Sequence, residues 1–380
     1  MITKNLADVI HSLRWFSALT VVLSHARRLI FTPYSELVDP SIAVSIFYSL
    51  TGYGHEAVLV FFVLSGYLVG GKVIEQIVDV RFDLLKYVIA RVSRLYIVYV
   101  PAIFLTSLIA FLVGSMDLDS WYVDSASTGH LGMLASSDVS NSTLIKNLLM
   151  LQDLFVSVYG QNIPLWSLSY EFWFYVIFPL PLLMLTGRPL GKVLILLSLV
   201  LCVCFMPLKF WFYFIIWVFG AVAAVVTAVS KKQANLATGG FFLLGLFISI
   251  VVSRFNLFDL HYSVTDAFIG AFIAFLLFWL RCRDDVIIVS SKFHEFYAGF
   301  SYSLYLIHYP ILVIAISLLN KFGYPAFSVQ LNFQTFIVYL CMVLFSNIVA
   351  YIFYFLFERH SLLLRRNLES ALTRLPPVRL

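Results

Sequence analysis

Ten stretches of this chain are apolar over close to membrane-spanning length, and this constrains its fold more than any other feature. Crossing about 30 Å of hydrocarbon takes roughly 20 helical residues. In lipid every backbone polar group must be satisfied internally, which leaves helices or closed barrels. The stretches lie near 13–32, 55–71, 95–114, 164–186, 192–206, 209–229, 239–253, 264–280, 295–318 and 333–357. With 61% hydrophobic and 12% charged residues, against about 25% charged in soluble domains, most of the surface must face lipid. The expected fold class is an all-α integral membrane protein, a bundle of about ten transmembrane helices. The spans near 192–206 and 239–253 are short, and the joins at Pro207 and Asn256 can shift by a turn. Residues 1–380 read as a single membrane-embedded domain with no fused soluble domain. Arg14 interrupts the first apolar run and no small-residue cleavage site follows, so that run reads as a retained helix. Cys202, Cys204, Cys282 and Cys341 sit in or at the ends of apolar runs, an unsuitable pattern for a disulfide framework or a zinc site, and no metal is expected.

The distribution of Lys and Arg tests this parse, because cytoplasmic loops collect them. With the N-terminus inside, the inner side receives 19 of the 25 basic residues, among them Lys4, Arg81, Lys86, Arg188, Lys231, Lys232, Arg374 and Arg379. The outer side keeps Arg27, Arg28, Lys146, Lys209, Arg254 and Lys321. Asp117, Asp119, Asp124 and Asp138 make 115–145 acidic and place it outside. An even number of spans returns the C-terminus, with a tail of about 361–380, to the cytoplasm. The net charge of +5 is explained by this anchoring, without nucleic acid or another acidic partner. Within the outer loop, Leu144 to Val156 is apolar enough to lie on or re-enter the membrane.

Ionisable groups inside a bilayer are costly and mark functional sites by default. Arg14 and His25 lie eleven residues apart on the first span, within about 20° of one helical face and about 16 Å apart along the axis. Arg14 can also snorkel to the inner interface, and His25 can bond a neighbouring helix. Glu171, in Leu165-Trp166-Ser167-Leu168-Ser169-Tyr170-Glu171, and His308, in Tyr302-Ser303-Leu304-Tyr305-Leu306-Ile307-His308-Tyr309-Pro310, fall at nearly the depth of His25. The three mark one polar level in the outer half of the bilayer, a catalytic site or a cluster that ties helices together. On the inner side Arg91 and Arg94 form R-x-x-R on one helical face, a seat for phosphates or ordinary positive-inside anchoring. Gly66 and Gly70 suit a close helix contact. Ser65 beside them lacks a neighbouring base. His55 and Glu56 at the mouth of the second span can line an entrance for an acceptor or simply be solvated. Glu358-Arg359-His360 reads as an interfacial cluster.

At these positions the chain resembles the acyltransferase-3 proteins, membrane O-acyltransferases of bacterial surface polysaccharides and related glycans. Five segments match that family's motifs in order: Arg14 with His25, Phe61 to Gly66, Arg91 to Arg94, Leu165 to Tyr175, and Tyr302 to Pro310. One departure stands out: Ala57-Val58-Leu59-Val60 replaces the Gly-Val-Asp that many members carry before the second segment. The resemblance implies a multi-pass protein of the bacterial inner membrane that moves an acyl group, acetyl by default, from acetyl-CoA or another acyl-CoA to a carbohydrate hydroxyl. It implies His25 and Arg14 as essential, and Arg91 and Arg94 as binders of the donor's phosphates. His25 would act as general base or carry the acyl group on nitrogen, with Glu171 or His308 orienting it. Expected partners are the lipid bilayer, acyl-CoA, a carbohydrate acceptor and glycan-assembly proteins. The rival reading is a proton-coupled transporter or flippase for a lipid-linked sugar or small solute, in which membrane His and Glu residues also serve.

Overall fold

The structure, a computed structural model, describes residues 4–116, 138–160, 162–186, 189–229, 235–254, 261–283, 291–324 and 329–373. Asp117, Asp119, Asp124, Arg188, Lys231, Lys232, Asn256, Arg374 and Arg379 lie outside the described residues. In chain order the helices are α1 (Lys4–Ile30), α2 (Ile42–Leu50), α3 (Gly54–Ser65), α4 (Gly71–Val78), α5 (Leu84–Ser115), α6 (Asn141–Leu148), α7 (Trp166–Ile177) and α8 (Pro179–Thr186). They continue as α9 (Pro189–Phe205), α10 (Leu208–Val229), α11 (Leu236–Arg254), α12 (Tyr262–Arg281), α13 (Ser291–Gly299), α14 (Ser301–Lys321), α15 (Phe333–Leu356) and α16 (Ser361–Thr373). Among the described residues nine helical segments are long and apolar enough to cross a membrane, and α9 adds a shorter apolar one. The all-α multi-pass class expected from the sequence is therefore the class observed.

Several boundaries differ from the hydropathy reading, each for a local reason. The Asp83 side chain accepts the Lys86 N–H at 3.0 Å, an N-cap that starts α5 at Leu84 and leaves Arg91 and Arg94 inside the helix rather than at its mouth. The ninth expected span is two helices, α13 and α14, parted at Phe300. The second apolar segment runs from Ile42 to Val78 through a π-helical turn at Gly66–Gly70.

The chain divides into two compact units, described separately: Met1–Ser17, His55–Tyr87 and Ser169–Tyr297 in the first, and Ala18–Gly54, Val88–Leu168 and Ala298–Leu380 in the second. In the first unit the π-helical turn meets α10 backbone to backbone. A Cβ added at Gly66 would lie 1.8 Å from the Trp217 carbonyl oxygen, and one added at Gly220 would lie 2.0 Å from that of Val63. This is the small-residue contact that Gly66 and Gly70 suggested, because helices in lipid gain most from packing that lets backbones approach.

In the second unit α14 is the central helix. Residues 303–313 are buried without interruption, as expected of a helix apolar on every side. The segment 138–160, which contains the stretch Leu144 to Val156 expected to lie on or re-enter the membrane, folds onto α5. The hydroxyls of Tyr96 and Tyr99 donate to the carbonyls of Leu148 and Asn147 at 2.9 and 2.7 Å. Buried Asn147 ties the segment to itself, donating to Thr143 and Ser157 carbonyls and accepting the Tyr159 N–H. Buried Gln152 donates to the Leu165 carbonyl.

Candidate active site

The site in the second unit is built on α14. Pro310 has no N–H, so the carbonyl four residues earlier, that of Leu306, loses its helical donor. The Asn162 side-chain amide supplies one instead, donating to Leu306 O at 2.8 Å and to Thr106 Oγ1 at 3.1 Å. At the adjacent residue, the Tyr305 hydroxyl pairs with Ser167 Oγ at 2.6 Å. The Asn162–Ser167 loop and the Tyr302–Pro310 motif are thus bonded to each other, which fixes the turn of α14 that carries His308.

His308 is fully buried. Its Nδ1 lies 3.0 and 2.9 Å from the carbonyl oxygens of Leu304 and Tyr305. Its Nε2 lies 2.9 Å from Nδ1 of His25 on α1. The two imidazole planes are 8° apart with centroids 5.2 Å apart. Parallel rings in face-to-face contact could not bring two nitrogens that close, so the rings lie edge to edge in a common plane with the N···N line between them. Tyr309 closes one side, its ring perpendicular to His25 at 5.3 Å.

This arrangement dictates proton positions. Carbonyl oxygens only accept, so His308 Nδ1 carries the hydrogen. In the neutral ring Nε2 is then an acceptor, and His25 Nδ1 must donate to it. The remaining His25 nitrogen, Nε2, is left with an unprotonated lone pair, as a general base or nucleophile requires.

A second polar group lies at the start of α14. Glu358, 2% exposed, sits in the turn after α15. Its Oε2 accepts the Ser303 N–H at 3.0 Å and the Ser303 hydroxyl at 2.8 Å, capping the positive end of the helix. Its Oε1 pairs with Arg94 Nη1 at 2.8 Å, and the Arg94 guanidinium lies over the Tyr302 ring at 5.0 Å. Arg94 is therefore held in one orientation by a buried carboxylate. The sequence reads Glu358 as part of an interfacial cluster; in the fold its side chain turns inward, because the first N–H groups of α14 have no partner within the helix.

In the first unit Glu171 ends a directed chain. The Trp217 indole N–H, a donor only, gives to Ser65 Oγ at 3.0 Å, and Ser65 Oγ lies 2.9 Å from the Tyr175 hydroxyl. Tyr175 in turn donates to the Glu171 carboxylate. Ser65 Oγ is thus bonded to two side chains, Trp217 and Tyr175. Arg14 lies on the same unbroken helix as His25. Asp266 on α12, 2% exposed, holds the ring of His55 at 2.8 Å. Asp266 and Asn162 were not singled out in the sequence. For Asn162 a signal existed, since a proline inside a buried helix demands a replacement donor. Among the described residues no group of three or more His, Cys, Asp or Glu side chains could hold a metal ion.

No curated protein and no solved structure matches the chain. A family model described as an acyltransferase domain, that of the acyltransferase-3 proteins, matches residues 8–355, nearly the whole chain. With its multi-pass helical fold, the chain belongs to the acyltransferase-3 family of membrane O-acyltransferases.

Proposed function

We propose that this enzyme transfers an acyl group, acetyl by default, from cytoplasmic acyl-CoA to a hydroxyl of a surface or lipid-linked carbohydrate in the bacterial inner membrane. The observation that carries the mechanism is the directed chain from the Leu304 and Tyr305 carbonyls through His308 to His25. It leaves His25 Nε2 unprotonated and fixes the ring plane, as the third group of a triad does. Nε2 takes the proton of the acceptor hydroxyl while that oxygen attacks the thioester carbonyl. The C–S bond then breaks, and the sulfur of CoA takes the proton from Nε2 and leaves as the thiol, which regenerates the base. The positive charge that His25 carries in between is shared with His308 through their common hydrogen bond. The same lone pair supports an N-acyl histidine route, with attack on the thioester first and transfer to the hydroxyl second.

His308 is thus the residue that orients His25. Glu171, the other candidate for that role, is the acceptor at the end of the Trp217–Ser65–Tyr175 chain and takes part as a carboxylate able to receive a proton. Arg14, Arg91 and Arg94 bind the donor, Arg91 and Arg94 through its phosphates, with Arg94 oriented by Glu358. With both termini cytoplasmic, these basic groups fall on the donor's side.

The test is acyl transfer by purified protein in liposomes. His25→Ala should abolish transfer, and a variant working at the wild-type rate would refute the proposal. Neutralising Arg91 and Arg94 together should raise the KM for acyl-CoA with little change in kcat. An unchanged KM removes their assigned role.

A further inference from the structure

His55 and Glu56 open α3, immediately after the break at 51–53 that separates it from α2. Both lie in the first unit, as does Asp266 on α12. Asp266 is 2% exposed and its Oδ2 is 2.8 Å from His55 Nε2, whereas the His55 side chain is 43% exposed. A carboxylate only accepts, so His55 Nε2 carries the hydrogen, and Nδ1 is the edge of the ring turned away from Asp266. The imidazole is therefore locked on its buried side and open on the other. The Tyr213 ring stands 6.4 Å from that of His55 at 61°, and Lys209 is within electrostatic reach of it. Two buried acceptors accompany the pair. Oε2 of Glu56 and Oγ of Ser263, one turn from Asp266 on α12, have no hydrogen-bond partner among the described residues.

A pair that only fastened α3 to α12 would need neither the open imidazole edge nor an adjoining carboxylate oxygen kept from water without a donor. Leaving a buried acceptor unmet is costly, so the arrangement fits a partner that brings hydroxyl groups. An imidazole, a carboxylate and a tyrosine ring together offer hydrogen-bonding groups for several hydroxyls and a face for C–H groups, the chemistry that recognises a polyol ring.

We propose that His55, held by Asp266, and Glu56 form the binding site for the carbohydrate acceptor, with Glu56 accepting a hydroxyl hydrogen and His55 Nδ1 bonding a second hydroxyl. This rests on the carbohydrate reading of the acceptor given above. These residues orient the acceptor and take no part in bond making.

The experiment uses full-length protein in liposomes, radiolabelled acetyl-CoA, and the host's own envelope glycan, alkali-treated to remove its O-acyl esters, as titrated acceptor. Label in the glycan reports transfer, and CoA released without glycan reports turnover to water. His55→Gln and Glu56→Gln should each raise the glycan concentration for half-maximal transfer about tenfold or more, the range for one hydrogen bond to a charged or polarised group. CoA release without glycan should stay within about twofold of the wild type. Unchanged glycan dependence in both variants would overturn the site while leaving the carbohydrate reading intact. A parallel fall of transfer and CoA release in both variants would mark a structural role and also overturn it. A wild-type protein that releases CoA but never labels the glycan would refute the carbohydrate reading, and the site with it.

Discussion

Replacing Asn162 with alanine tests the reasoning that builds the site, because it removes the donor that stands in for the missing N–H of Pro310. Two bonds disappear, the 2.8 Å contact to Leu306 O and the 3.1 Å contact to Thr106 Oγ1. A carbonyl left unmet in a buried position costs about 1–3 kcal/mol. Side-chain hydrogen bonds between membrane helices average about 0.6 kcal/mol. The expected loss for Asn162→Ala is thus about 2–3 kcal/mol, with activity falling as well because His308 is two residues from Leu306. The distinguishing variant is Pro310→Ala, which restores an N–H able to reach Leu306 O. In the double variant that carbonyl is satisfied from within α14, and the cost of Asn162→Ala should shrink by about 1–2 kcal/mol, a coupling that a double-mutant cycle resolves. Denaturation by SDS titration of detergent-solubilised protein, followed by tryptophan fluorescence, gives the four stabilities. Strictly additive losses would refute the account of why Asn162 is there.

His308→Ala should lower kcat by about 10²–10⁴-fold, the usual contribution of general-base assistance, and leave the KM for acyl-CoA unchanged; a rise in KM alone would count against its orienting role. Glu358→Ala should destabilise the protein by about 3 kcal/mol, the lower end for breaking a buried pair because Arg94 is partly exposed. Glu358→Gln, which can still accept from Ser303, should cost measurably less in the same SDS titration, and equal losses would remove the capping argument. Gly66→Ala drives a methyl into the Trp217 backbone carbonyl, which cannot swing aside, so about 3 kcal/mol or more of overpacking is expected. Gly114→Ala, with nothing within 4 Å, is the control, and size-exclusion profiles at equal expression compare the two. Asp138 accepts from the Thr143 hydroxyl and the Ser140 N–H, which hold its carboxyl below the usual carboxylate range. Its contribution is present above the ordinary value of about 3.9 and fades as pH falls through the lowered folded value. Hydrogen exchange in 138–160 should therefore quicken on acidification below that range, and Asp138→Asn should blunt the change.

What the sequence disclosed was governed by distance along the chain. Hydropathy marks a span wherever some twenty apolar residues run together, so the helical class was legible throughout. Depth is a one-dimensional quantity, and counting along α1 and α14 was enough to put His25 and His308 on one level. The count could not say that the two rings touch, because rotation of α14 about its axis is set by contacts such as Asn162 with Leu306. Glu358 illustrates the opposite case. Its neighbours Arg359 and His360 read as interfacial, and only the fold reveals that the turn after α15 brings the carboxylate to the N–H groups of Ser303. Asp266 was hidden for a similar reason: a single acid in an apolar span acquires meaning from a partner 211 residues away. The break at Phe300 was missed because neither a proline nor a charge marks it in the sequence.

The two backbone carbonyls that hold His308 do a task for which soluble hydrolases use an ionised aspartate. A full negative charge at this depth would be expensive to keep out of water. Peptide dipoles are already part of the helix, carry no net charge and add no desolvation penalty of that size. The proton assignment of the histidine pair is therefore written into the backbone of α14 and travels with it. A solvent-accessible acid is not required to maintain it, and an aspartate engineered beside His308 to strengthen the pair would bring a buried charge that the present design does without.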